Sequence, residues 1–520
     1  MTQIPASGAP TGTATPTNEM LNGSRYLASL SDAREVYLYG ERVKDVTQHP
    51  GFRNSCRSIA RLYDALHDPK HSDTLTAIDR SGRRTHKFFM PSYTPQELLG
   101  ARDAIVEWAR LSYGFMGRTP DYKAALMASL ASQPEFYAPF EENARKWYAR
   151  YSSQCLFLNH CLINPPVDRN RPAHEIGDVF VHVVKEQDGG IIVSGAKTLG
   201  TGSAMTHATF VAQNSATTLD KEKAKDFALV FIAPLDTPGT KLLCRPSYEG
   251  NAKSPFDNPI SSRFDENDAV LLFDNAFIPW ENVLVYRDPE RANSFFRHSR
   301  FVNRYTLQSA SRLAVKLDFM CGLFARAIEA NGTDTFRGVQ AAMGEILAWR
   351  NLVWAITAAM CLDPEPAPGG AVVPKQEYAY TLRVFGSQCW PAVRYLFEKN
   401  LAVSLLMTPS SYKDLQNEDL QPLIEKYYRG SSSTAADRIK LFKLIWDAMG
   451  TEFGARHELY EINYSGNHEQ IRLDVLTGAR QSGILDKCVA LTEQCMSEYD
   501  LDGWKDSTWV WDKPRGTSQK

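Results

Sequence analysis

The sequence predicts an α+β protein in three successive parts: a mainly helical N-terminal domain, a small antiparallel β-barrel or sandwich, and a C-terminal four-helix bundle. Three observations carry this. Apolar residues recur at helical spacing up to about residue 151. Short β-branched and aromatic runs, separated by Gly, Pro, Asn and Asp, follow to about residue 285. Long helical periodicity returns from about residue 300.

Element by element, residues 1–19 are rich in Thr, Pro, Ala and Gly, without a basic start or an apolar run. They read as a disordered arm rather than a signal peptide. In the helical part, residues 20–151, Ile59, Leu62, Tyr63 and Leu66 form one stripe, and residues 37–46 read as a hairpin near its entrance. The β part, residues 152–290, has strand candidates at 179–184, 190–194, 208–212, 227–232 and 269–273. In the bundle, residues 291–485, Leu313, Leu317, Met320, Phe324 and Ile328 share a face, as do Val339, Met343, Ile346 and Val353. Residues 378–407 and 436–448 supply the third and fourth helices, and residues 486–520 a final helix and tail. The length of 520 residues accords with roughly three domains.

Composition narrows the function. Hydrophobic content of 43% and charged content of 23% are ordinary globular values. A net charge of −2 gives no reason to expect nucleic acid or an anionic membrane as partner. Nine scattered cysteines without a Cys-x-x-Cys pair point to reduced thiols in a cytoplasmic enzyme, not to a disulfide framework or a zinc site. No stretch reads as approaching the ~18 apolar residues of a membrane span. Gly200-Thr201-Gly202 lacks the third glycine and following helix of a dinucleotide fingerprint. No phosphate-binding Gly-x-x-x-x-Gly-Lys loop occurs. Glu461 stands where a zinc protease of the His457-Glu458 type needs histidine, and no Glu-x-x-His pair exists for two irons. No metal is expected, and any oxygen chemistry should belong to an organic cofactor.

The richest segment is Gly117-Arg118-Thr119-Pro120-Asp121-Tyr122, followed about forty residues on by Asn159-His160. Threonine as cap and proline at the first helical position read as a helix start, which sets Arg118 and Tyr122 at a helix N-terminus. Two readings stay open on these residues alone: a capped surface helix with an unrelated core histidine, or a site for an ionising phenol or an oxygen-derived anion. Small residues at Gly200 to Ser203 read either as an ordinary β-turn or as backbone that a flat ring can approach closely.

The run 108–125, with 37–46, 262–268, 278–284 and 454–466, resembles the oxygenase component of 4-hydroxyphenylacetate 3-monooxygenase, a family of two-component, reduced-flavin-dependent phenol ortho-hydroxylases. The matching runs extend in order from about Tyr26 to Trp504. The resemblance implies an acyl-CoA-dehydrogenase-like architecture, with residues 273–284 at the junction of barrel and bundle. It implies FAD, delivered as FADH2 by diffusion from a separate NAD(P)H-dependent flavin reductase, and O2 as co-substrate. The reduced flavin would form a C4a-hydroperoxide, attacked by the carbon ortho to a phenolic hydroxyl to give a catechol.

Carried onto this chain, the resemblance makes Arg118, Tyr122 and His160 catalytic and substrate-binding, His160 accepting or polarising the phenolic proton near its own pKa. Ser215 and Ala216 lie in a loop over the substrate. Flavin contacts fall to His160, Pro166, Val167, Asp168, Arg169, Thr201, Ser203, Ser465, Gly466 and Asn467, although Asp168 and Arg169 also read as a plain surface ion pair. The loop 213–226 departs from the family pattern and is about two residues longer. Tyrosine, p-coumarate or a biosynthetic tyrosine derivative could therefore replace 4-hydroxyphenylacetate. An acyl-CoA-dehydrogenase-type flavoenzyme is the rival reading on the same fold. A homo-oligomer, tetramer or dimer, is expected.

Overall fold

The structure, a computed structural model, describes residues 19–214 and 218–510. All but the last residue of the expected N-terminal arm, and Ser215 and Ala216 of the expected substrate loop, lie outside these residues. The predicted order of helices, sheet and helices is the order observed.

The N-terminal helices form as their periodicity requires. Arg53–Ala65 buries Ile59, Leu62 and Tyr63 completely or nearly so, with Leu66 just beyond its end. Pro95–Leu111 starts at Thr94, whose hydroxyl accepts the Glu97 amide, and it buries Trp108. The hairpin at 37–46 does not belong to this layer. Its strands, Glu35–Leu38 and Glu41–Val43, turn through Tyr39 and Gly40 at φ 54° and 82°, and Val36 pairs with Leu242 in parallel. The hairpin is thus the edge of the central sheet, because only the Thr240–Cys244 strand offers it a ladder of backbone partners.

Two sheets make the centre. Six strands run in the order Glu41–Val43, Glu35–Leu38, Thr240–Cys244, Asp268–Pro279, Gly190–Thr201, His182–Gln187. Four run Val283–Tyr286, Leu229–Pro234, Ala208–Val211, Leu158–Cys161. Most pairs are antiparallel, as expected, and two are parallel, Glu35–Leu38 with Thr240–Cys244 and Leu158–Cys161 with Ala208–Val211. Both join strands far apart in the chain, where a long connection permits parallel pairing. The segments 190–194 and 269–273 prove to be parts of strands 12 residues long, each interrupted by register shifts. The strand Leu158–Cys161 was not predicted; four residues with a polar Asn-His centre carry too little alternation to be read.

The four expected bundle helices are Phe301–Asn331, Arg337–Leu362, Gln376–Leu401 and Ala435–Met449. The third ends at Leu401 rather than near 407, because Ala402 turns to φ 42°. Glu452–Asn463 and His468–Gln481 were not anticipated as helices. By length and composition Arg337–Leu362 is apolar enough to cross a membrane, which corrects the expectation that no stretch approaches that limit. It packs against Phe301–Asn331 and Gln376–Leu401 as a bundle helix. Phe301–Asn331 is the axis of the molecule, and its first half is almost wholly buried, Arg304, Arg312 and Lys316 included.

Candidate active site

A cavity of about 510 Å³ opens where the 118–123 segment, the strand Leu158–Cys161, the end of Gly190–Thr201, the start of Phe301–Asn331 and the helix Glu452–Asn463 meet. Arg118, Tyr122, His160, Thr201, Ser465 and Gly466 all line it. Four chain regions far apart in sequence thus deliver the predicted residues to one wall.

Arg118 is held through its backbone. The amides of Gly117 and Arg118 donate to the Glu266 carboxylate at 2.9 and 2.5 Å. Gly117 has no room for a side chain: a Cβ there would lie 2.5 Å from the Tyr460 hydroxyl. The Arg118 guanidinium stacks over the Tyr122 ring at 3.8 Å and lies 5.1 Å from the Tyr460 ring. Its Nη1 is buried without a hydrogen-bond partner among the described residues. A cation between two aromatic faces, with an unspent N–H, is a preformed donor for an anion.

The expected threonine cap is not made. Thr119 Oγ1 donates to Asp121 Oδ1 at 2.5 Å, and Gln308 Nε2 lies 3.3 Å from each of them. The carboxylate two residues on outcompetes the backbone amides for the hydroxyl. Pro120–Lys123 is a single tight turn that runs into Ala124–Ser132, so side chains rather than a capped helix end form the wall. Burial lifts the Asp121 pKa to about 6 despite those hydrogen bonds.

Tyr122 stays a neutral phenol, because burial raises its pKa and outweighs the opposing pull of Arg118. His160 lies edge-on to Tyr122, 5.7 Å between ring centres, and Phe301 stands 5.9 Å away. Its Nδ1 is 2.6 Å from Lys123 Nζ. Burial, then the Lys123 and Arg118 charges, hold the imidazole well below its ordinary pKa of 6.5. The expectation that His160 works near its own pKa is therefore corrected: it is a neutral imidazole at neutral pH.

Below this wall, Thr201 donates to Asp268 Oδ1 at 2.6 Å, and Arg456 grips Asp268 at 2.8 and 3.0 Å, with Arg245 at 2.9 Å. Burial opposes ionisation of Asp268, but Arg456 and Arg245 override it and hold the carboxyl far below the usual range. Ser465 accepts Arg383 Nε and Nη2 on its carbonyl at 3.1 and 2.8 Å, while its hydroxyl is buried and unpartnered. Gly466, at φ 113°, makes a turn that a side chain would strain.

The remaining sequence candidates lie elsewhere. Ser203 is fully buried behind the wall, accepting from Asn159 Nδ2 at 2.6 Å and donating to the Gly200 carbonyl at 2.5 Å. A Cβ on Gly200 would come within 2.3 Å of that hydroxyl. Pro166, Val167, Asp168 and Arg169 are exposed and outside the cavity lining, and Asp168 pairs with Arg171 at 3.5 Å, not with Arg169. Asn467 caps His468–Gln481, its Oδ1 accepting the Glu469 and Gln470 amides at 2.9 and 3.1 Å.

Lys123, Arg383, Arg456 and Tyr460 were missed as site residues. Arg456 and Tyr460 sat in a run already noted, and their i, i+4 spacing places them on one face once that run is known to be a helix. Arg383 carried no local signal.

The whole fold is shared with a solved 4-hydroxyphenylacetate 3-monooxygenase oxygenase component complexed with FAD and 4-hydroxyphenylacetate. The TM-score is 0.86 and the identity 30%, over 92% of this chain and 99% of that one. The 4-hydroxyphenylacetate 3-hydroxylase N-terminal model matches residues 22–285, and the corresponding C-terminal model residues 292–492. The chain belongs to the 4-hydroxyphenylacetate 3-hydroxylase family. Its relatives include the pyoverdin chromophore biosynthetic protein PvcC of Pseudomonas aeruginosa, 54% identical over 95% of this chain and 99% of the relative. They also include the 4-hydroxyphenylacetate 3-monooxygenase oxygenase component of the same organism, 51% identical over 93% and 94%.

Proposed function

We propose that this chain is the oxygenase component of a two-component monooxygenase. It takes reduced FAD from a separate NAD(P)H-dependent flavin reductase and, with O2, hydroxylates a para-substituted phenol ortho to its hydroxyl, giving a catechol. The observation that carries this is the convergence of Arg118, Tyr122 and His160 on one wall of the 510 Å³ cavity, with Arg118 Nη1 left unpartnered. Such a wall orients a phenol and stabilises charge on its oxygen.

The residues fit a flavin. Tyr460 Oη and Ser465 Oγ are buried and unpartnered at the same cavity, beside apolar surface from Leu199 and Phe301, which suits a flat ring with a polar edge. Thr201, Ser465 and Gly466 would hold it, with 166–169 and Asn467 at its periphery. Ser203 acts from behind by fixing Asn159 and the turn at Gly200. Bound there, reduced FAD supplies the activation of O2, which none of these side chains provides. An acyl-CoA-dehydrogenase-type reaction needs a free carboxylate, and Asp268, the acid in the described wall, is bound by two arginines.

Ser215 and Ala216 would cover the para substituent. The biosynthetic relative at 54% identity and the unusual 213–226 loop favour a tyrosine-derived substrate as a second reading. We extend the proposal to a cytoplasmic homo-oligomer: Leu347, Leu352 and Leu362 on Arg337–Leu362 are exposed in the single chain, an apolar face that association would cover.

The test is a panel of 4-hydroxyphenylacetate, tyrosine, p-coumarate and related phenols, assayed for catechol with chemically reduced FAD and O2. Catechol from at least one phenol is expected, and none with FAD and NADH until a flavin reductase is added. No product from any phenol would overturn the reading; product with NADH alone would overturn the separate reductase.

A further inference from the structure

We propose that Lys123 is a positioning residue that fixes the tautomer of His160, so that the imidazole offers an Nε2–H to the substrate and the cavity takes its phenol already ionised. This rests on the phenol-hydroxylase reading above. The geometry is specific. Lys123 is 2% exposed, and its Nζ lies 2.6 Å from His160 Nδ1. The ammonium also sits over the Tyr122 ring at 3.8 Å and faces Phe301 at 5.8 Å. Burial and then the Arg118 charge pull Lys123 well below its ordinary pKa; the two aromatic faces oppose them, and we take the group as the ammonium, which has three donors and no acceptor. Nδ1 must then accept. A neutral imidazole whose Nδ1 accepts carries its proton on Nε2, the ring nitrogen left for a ligand.

The surroundings keep the ring neutral. Arg118 and Tyr122 face it from its own side of the cavity, Tyr305 from Phe301–Asn331, and Arg456 and Tyr460 from Glu452–Asn463. The carboxylate at this wall, Asp268, is already bound by Arg456 and Thr201. An oxygen seated at this wall would meet two donors, Arg118 Nη1 and His160 Nε2, and, among the described residues lining the cavity, no free carboxylate to take its proton. The phenolic proton is left in solvent, and the bound phenolate is the electron-rich ring that ortho attack requires. His160 is on this account a donor, not a general base.

The probe is 4-nitrophenol, whose phenol and phenolate absorb differently, titrated against the flavin-free protein. In the parent, the bound form should ionise at a pH below that of free 4-nitrophenol. In Lys123→Met the apparent pKa should rise by about one unit, equivalent to about tenfold weaker binding of the phenolate relative to the phenol. An unchanged ionisation in Lys123→Met would overturn the proposal. A second measurement needs no such variant: in the ¹⁵N spectrum of histidine-labelled parent, the signals absent from His160→Gln should show a protonated Nε2 and an unprotonated Nδ1. The opposite tautomer would overturn the proposal even if Lys123→Met fails to fold. Failure of the parent to bind any phenol would instead sink the hydroxylase reading, with the nitrogen spectrum still deciding on Lys123.

Discussion

Tyr460 and Glu461 are neighbours on one helix and belong to opposite kinds of polar environment. Tyr460 faces the cavity, where its hydroxyl, Arg118 Nη1 and Ser465 Oγ are buried without partners among the described residues. Glu461 faces the bundle, where Arg312 contacts both of its oxygens and Lys316 Nζ lies 3.0 Å from Oε1, all three side chains at most 1% exposed. Burying polar groups is costly in both places. Behind the wall both oxygens of the Glu461 carboxylate are paired with cations, so the cluster locks Glu452–Asn463 against Phe301–Asn331, although Arg312 Nε is left over among the described residues. At the wall the capacity is left open, and it is what a ligand would complete. The same helix is thus anchored on one face and reactive on the other.

The contrast can be broken first at its anchored side. Glu461→Gln would leave Arg312 and Lys316 buried without their counter-charge, and should cost about 3–5 kcal/mol of stability in urea or thermal unfolding. Unchanged unfolding would mean that the cluster is not what holds the helix.

At the open side, His160→Ala should keep the fold and unfolding midpoint while lowering hydroxylation by ~10²-fold or more. Parent-level turnover would remove His160 from the machinery.

Acid sharpens the comparison. Burial raises the Glu461 pKa, but Arg312 and Lys316 outweigh it and bring the carboxyl from 4.5 down to about 2. A lowered carboxyl contributes stability above its unfolded pKa and loses it as pH falls through the folded one. The parent should therefore lose stability between about pH 4.5 and 2, and Glu461→Gln should lose less over that window. Parallel curves would contradict the assignment.

The mildest effect concerns the loop. Exchanging 213–226 for that of another family member should change preference among phenols more than the rate at which reduced flavin reacts with O2. Stopped-flow absorbance separates the two, and a crippled oxygen reaction with unchanged preference would reassign the loop to the flavin.

Much of this was legible in the chain. The stripe ending at Leu66 and the face from Leu313 to Ile328 foretold their helices, because 3.6-residue periodicity is a local property. Arg118 and Tyr122 stood out as neighbours in one short segment. What failed did so for a physical reason. Leu158–Cys161 becomes a strand through parallel pairing with a segment about fifty residues away. The threonine cap failed because Asp121, held also by Gln308 from a helix 187 residues on, took the hydroxyl.

By itself the sequence determined the three-part architecture, the absence of recognisable metal or nucleotide signatures, and the chemical types assembled near Arg118, Tyr122 and His160. Only the tertiary structure decided the state of those groups. Lys123 meets His160 across 37 residues, and Arg456 occupies Asp268 across 188. Which buried donors are satisfied and which remain open depends on such long-range partners, and a hydrogen bond formed across the fold leaves no trace in local periodicity.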